Sequence, residues 1–177
     1  MSKSGFISTL IFCGFISWQS VAAVACPAAN FIQDAGSAFS SAARSGSPSA
    51  FTSAASRFTD LRGIALFALG SYRGSLSPGQ EGKYISLAKG FIGRFMADNA
   101  SSLAGSDDLT VTTCSGNTVS AKMASGGTVI FRLSSGSRIQ DVNVSGIWMA
   151  QALRDKFTGV IRSHGGDMNA LFAYLAQ

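Results

Sequence analysis

The sequence predicts an α+β domain, with helices packed on one face of a four-stranded antiparallel meander. Two kinds of observation lead there, the order of apolar periods and the connections that interrupt them. Apolar residues recur at helical spacing from Ala28 to about Ala100, the period switches to two between Leu109 and Val144, and helical spacing returns from Ile147 onward. The alternating stretch is also cut by three short connections, Ser115-Gly116-Asn117, Gly126-Gly127 and Ser135-Gly136-Ser137, of hairpin length and glycine content.

Each helix has its own stripe and stop. Phe31, Ala35, Phe39 and Ala42 or Ala43 line the first, over residues 28–43. Ser45-Gly46-Ser47-Pro48 breaks it and sets Ser47 as N-cap and Pro48 as first residue of a second helix with Phe51, Ala55 and Phe58. A third, from Asp60, carries Leu61, Ile64, Ala65 and Leu69 and halts near Gly70. Ser77-Pro78 repeats the cap ahead of the longest helix, whose stripe of Tyr84, Ala88, Phe91 and Phe95 is widened by Ile85, Ile92 and Met96. That pattern fades between Ala100 and Gly105.

The strands follow. Leu109, Val111 and Thr113 form one alternating set; Val119, Ala121 and Met123 a second; Val129, Phe131 and Leu133 a third. In the fourth, Arg138 to Val144, Ile139 and Val142 fall on opposite faces, which requires either a bulge or a partly buried second face. Gly146 ends it. Residues 147–162 return to helical spacing with Met149, Leu153, Phe157 and Val160, Gly165-Gly166 interrupts, and Asp167 caps a last helix bearing Leu171 and Leu175.

Length and composition narrow the function classes. A chain of 177 residues suits one domain, and 46 % apolar with 13 % charged residues provides for a core and excludes a disordered tail. Glu occurs only at Glu81 and His only at His164, so paired-carboxylate or multi-histidine chemistry has little to draw on. Residues 1–25 read as a secretory signal: Lys3, then an apolar stretch from Phe6 to Trp18, then the small residues Ala23-Val24-Ala25. An uncleaved anchor and a lipid-modified Cys26 are the alternatives, the latter disfavoured because Ala23 stands where a lipobox has a larger aliphatic. Residues 26–177 are then the domain, and no later run is apolar enough to span a membrane. Cys13 leaves with the signal. Cys26 and Cys114 remain, either joined as one disulfide in an oxidising compartment or as two unpaired thiols.

Candidate chemistry is sparse. Ser86-Leu87-Ala88-Lys89 has the S-x-x-K spacing of serine acyl-enzymes, but lacks the companion motifs and lies off the apolar stripe, as a solvated surface would. His164 beside Gly165-Gly166 fits a helix-end donor better than a metal ligand. Asp107-Asp108 reads as a turn. The net charge of +5 comes from cations spread singly from Arg44 to Arg162, without the interleaved aromatics of a nucleic-acid site. They form either a solvated face or a surface for anionic partners and lipid headgroups. Thirteen phenylalanines are generous for this length, and serve either an ordinary core or the walls of an apolar cavity.

Three segments carry a family resemblance. The first is Ala68-Leu69-Gly70-Ser71-Tyr72 with Leu76-Ser77-Pro78 and Gln80; the second is Phe91, Arg94 and Phe95. The third runs from Asp141-Val142-Asn143-Val144-Ser145-Gly146-Ile147 through Arg154, Phe157 and Gly165-Gly166-Asp167 to Leu171. In this order they resemble the MlaC family of periplasmic phospholipid-binding proteins, which includes toluene-tolerance and HpnM-like members. Arg73, Trp148 and Leu153 depart from the family's Trp, Ser and Tyr.

The resemblance implies a non-catalytic periplasmic lipid carrier, with an apolar cavity between sheet and helices and no cofactor. Its implied partners are a phospholipid or other two-tailed lipid, the MCE-domain subunit of an inner-membrane ABC transporter, and an outer-membrane lipoprotein complex, with no nucleic acid. Facing stripes together with the family's cavity location give Phe91, Phe95, Val129, Phe131, Met149 and Phe157 as lipid-binding wall residues. Arg154 is expected to pair with Asp141 or to meet a headgroup. The rival reading is an exported scaffold with a solid core; an exported hydrolase is weakened by the missing triad.

Overall fold

The computed structural model describes residues 26–103, 109–124, 126–134 and 138–177. The expected secretory signal (1–25), the Asp107-Asp108 turn and the Ser135-Gly136-Ser137 turn lie outside the described residues.

Helix starts follow the side chains that cap them. After α1 (Ala29–Ser45), Gly46 takes φ 61°, a left-handed stop that accommodates glycine without strain. Ser47 then caps α2 (Pro48–Phe58) by accepting the Ala50 N–H at 3.4 Å, with Pro48 where its missing N–H costs nothing. Asp60 caps α3 (Leu61–Ala68) by accepting the Gly63 N–H at 2.9 Å. A 3₁₀ turn, Gly70–Ser75, leads to α4 (Pro78–Asp98), which opens on a capping box between Ser77 and Gln80. Where the apolar pattern fades, the short α5 (Ala100–Leu103) forms.

The sheet is an antiparallel meander of β1 (Thr110–Ser115), β2 (Thr118–Lys122), β3 (Thr128–Leu133), β4 (Ile139–Val144) and β5 (Ile147–Trp148), hydrogen-bonded in that order. Four strands follow the alternation; the fifth, of two residues, takes what the sequence places in a helix. Ser145 at φ 53° and Gly146 at φ 88° make a two-residue turn with two positive φ angles, which folds Ile147 back onto Val144 and Trp148 onto Asn143. Only then does α6 (Met149–Ser163) begin, followed by α7 (Met168–Leu175), which Asp167 caps through the Asn169 N–H.

The irregular fourth strand is resolved in both available ways. Arg132 pairs with Asp141 but Leu133 with Ile139, so Gln140 is an extra residue that turns Ile139 onto the face of Val142 and Val144. The opposite face, with Asp141 and Asn143, is also buried.

Two apolar clusters result. In one, Ile32 and Ala35 of α1 and Phe58 of α2 lie against Val119, Ala121, Val129, Phe131, Leu133 and Ile139 of the sheet. In the other, Ala65 and Leu66 of α3, Tyr84 and Ala88 of α4, and Phe157 and Ile161 of α6 pack with Leu171 and Leu175 of α7. Each large aliphatic or aromatic side chain fully withdrawn from water contributes about 1.5–3 kcal/mol. Helices α2 and α4 cross closely at Gly93, where a Cβ would lie 2.1 Å from Thr52 Oγ1 and 2.6 Å from the Pro48 carbonyl oxygen. Buried Tyr84 donates its hydroxyl to the Ala65 carbonyl at 2.6 Å, and burial pushes its phenol well above the usual range.

Cys26 and Cys114 form a disulfide with Cα atoms 5.8 Å apart, tying the chain just before α1 to β1 across 88 residues. No helix among the described residues is long and apolar enough to cross a membrane.

Candidate functional site

The six expected wall residues distribute over both clusters. Phe91 in α4 meets Phe157 of α6 edge-on, with ring centroids 5.5 Å apart, stacks on Phe95 at 6.3 Å and touches Tyr174 of α7 at 5.4 Å. Phe157 is fully buried, Phe91 half-buried and Phe95 50 % exposed, so this aromatic group runs from the core to the surface. Val129 and Phe131 belong to the sheet cluster. Half-buried Met149, the first residue of α6, joins neither cluster. The helical trio is brought together; the sheet pair is not brought to it.

An open groove of about 550 Å³ lies where the chain entering α1 passes the ends of β1 to β4. Ala28, Val119 and Leu133 give it apolar wall, Asn117 and Gln140 give it polar rim, and the Cys26–Cys114 disulfide closes one side. This volume lies within the range of small-molecule pockets. Leu133, Val119 and Ala28 also border the sheet cluster, so the groove and the sheet core share a wall. Turn residues near the disulfide have no periodicity to mark them, which is why the sequence does not announce this groove.

One polar expectation changes. Arg154 does not pair with Asp141: its guanidinium lies over the Phe67 ring at 5.3 Å. Asp141 instead accepts the N–H of Ala150 at 2.9 Å, an acidic anchor for the start of α6, and also the N–H of Val142. The nearest cation is that of Arg132, 4.0 Å away, which stacks on Trp148 at 4.2 Å. The β4–β5 turn carries Trp148 onto the face of Arg132, a pairing invisible while residue 148 reads as helical. His164 behaves as a helix-end group, its ring Nδ1 being 2.9 Å from the Val160 carbonyl oxygen. Among the described residues, no three His, Cys, Asp or Glu side chains gather as a metal ion requires.

The arrangement defines a class of protein: a helix-covered antiparallel meander with a sheet-side apolar groove and an aromatic group reaching the surface. A model of the MlaC protein family matches residues 34–177. The chain belongs to the MlaC family. Among solved structures, it shares its fold with the phospholipid-binding protein from Ralstonia solanacearum, determined in complex with a phospholipid at 1.53 Å resolution. That likeness has a TM-score of 0.64 at 17 % identity, over 85 % of this chain and 95 % of that one. No curated protein matches the chain.

Proposed function

We propose that the protein is a periplasmic phospholipid carrier that exchanges lipid with an MCE-type ABC transport system of the inner membrane and a lipoprotein complex of the outer membrane. The observation that carries this reading is family membership over residues 34–177, joined to a fold shared with a phospholipid-bound protein. The physical requirement is simple. Each methylene exposed to water costs about 0.8 kcal/mol, so a lipid leaves its bilayer only for a comparably apolar site. The sheet-side groove and its neighbours Val129 and Phe131 supply one wall; Phe91, Phe95 and Phe157, with Met149, supply the other. To touch both sets, hydrocarbon enters between the two clusters, in which the sheet pair and the helical trio pack separately. No step of this work needs a catalytic group.

The dense packing of both clusters favours a second reading, an exported scaffold without cargo. Transfer of a fluorescent phospholipid from donor to acceptor vesicles separates the two. A carrier accelerates transfer in proportion to its concentration, and Phe95→Asp, which places a charge in the aromatic group, slows it at least severalfold. A scaffold leaves the spontaneous rate unchanged.

A further inference from the structure

The S-x-x-K pair of α4 does not share one environment: Ser86 is exposed, whereas Lys89 is half-buried against a second cleft of about 250 Å³. The cleft is bounded by the end of α2, the first turn of α3, the middle of α4 and the start of β4. Arg62, Lys89 and Arg138 all line it, and Asp60 is the carboxylate among its walls. These charges are unequally satisfied. Asp60 Oδ1 accepts the Gly63 N–H at 2.9 Å, and Arg62 pairs with Glu81. Arg138 uses one nitrogen, Nη1, to cap the end of α2 through the carbonyls of Ser56 at 2.8 Å and Thr59 at 3.3 Å, which fixes the guanidinium in place. Its other N–H groups, and the ammonium of Lys89, have no partner among the described residues.

With Arg62 already paired to Glu81, the ammonium of Lys89 and the remaining N–H groups of Arg138 are the donors left to face this small space, and a tetrahedral oxyanion offers enough acceptors for both at once. We propose that this cleft binds a phosphate-bearing anion, with Lys89 and Arg138 donating to its oxygens and Arg62 adding field from the rim. The location suits a headgroup. Thr59 bridges to Ile139, and the Asp60 N–H donates to the Ile139 carbonyl at 2.9 Å, so the cleft is stitched to the sheet cluster. On its other side α3 continues into Ala65 and Leu66 of the helical cluster. A phosphate seated here stands at the seam between the two apolar bodies. A lipid headgroup as the source rests on the carrier reading above; inorganic phosphate or a soluble phosphate ester does not.

The test uses delipidated protein from the exported full chain. Titration with inorganic phosphate, followed by amide shifts of Asp60 to Gly63, is expected to saturate, to weaken with added salt, and to weaken about tenfold in Lys89→Gln. Lys89 holds no partner among the described residues, so this variant is expected to keep its thermal midpoint. A second arm compares loading from vesicles of phosphatidylglycerol and of phosphatidylcholine. Preference for phosphatidylglycerol that disappears in Lys89→Gln supports the site with a headgroup as its source. Saturable phosphate binding lost in the variant, with no headgroup preference, supports the site with a soluble phosphate as its source. Phosphate shifts that do not saturate, or that are unchanged in Lys89→Gln, overturn the proposal, and undiminished lipid loading in that case leaves carriage standing. Phosphate binding without any lipid loading does the reverse.

Discussion

Tyr84 shows how one buried polar atom links sequence to pH response. Its ring fills the helical cluster and its hydroxyl reaches the Ala65 carbonyl, so Tyr84→Phe keeps the shape and loses one hydrogen bond. The expected cost at pH 7 is about 1 kcal/mol, read as a lowered denaturant midpoint. The pH dependence has a definite sign. Unfolded, the phenol ionises near its ordinary value of about 10; folded, burial holds the proton on to higher pH. The unfolded state therefore loses its proton first, and stability is intact below about pH 10 and falls as pH rises beyond it. The wild-type midpoint should decline more steeply above pH 10 than that of Tyr84→Phe. Parallel curves would show that the phenol ionises alike in both states.

At the scale of elements, capping and turn chemistry were legible, and reversals at the sheet edge were not. Ser47, Asp60, Ser77 and Asp167 start their helices as local rules require, because a cap is decided by a few neighbouring residues. Strand β5 escaped because Ile147 and Met149 fit a helical stripe, while the two positive φ angles at Ser145 and Gly146 are set by pairing with β4. Helix α4 offers a direct comparison of two glycines. Gly93 faces Thr52 and the fixed Pro48 carbonyl, so Gly93→Ala is expected to destabilise by about 1–3 kcal/mol. Nothing lies within 4 Å of a Cβ at Gly82, so Gly82→Ala is expected to stabilise by up to about 1 kcal/mol. Thermal midpoints moving the same way for both would contradict the close crossing of α2 and α4. The disulfide is a second element-scale tie: Cys114→Ser is expected to cost about 2–4 kcal/mol, seen as a drop in midpoint that added reductant reproduces in the parent.

Across the whole molecule, the sequence revealed the fold class and the identity of the apolar residues but not how they divide. Periodicity tells which face of an element is buried; it does not tell which elements share a core. Phe91 and Phe131 carry equal signals in the sequence, yet one packs with α6 and α7 and the other with α1. The same limit hid the cationic cleft, since Arg62, Lys89 and Arg138 are far apart in sequence and meet only after β4 docks beside α2. The carrier reading stands on what these divided apolar walls hold inside the cell envelope. Gentle purification of the protein from cells, followed by organic extraction and mass spectrometry, measures this directly. Carriage predicts two-tailed phospholipid at near one molecule per chain, reduced severalfold in Phe95→Asp; protein recovered folded and free of lipid would contradict it.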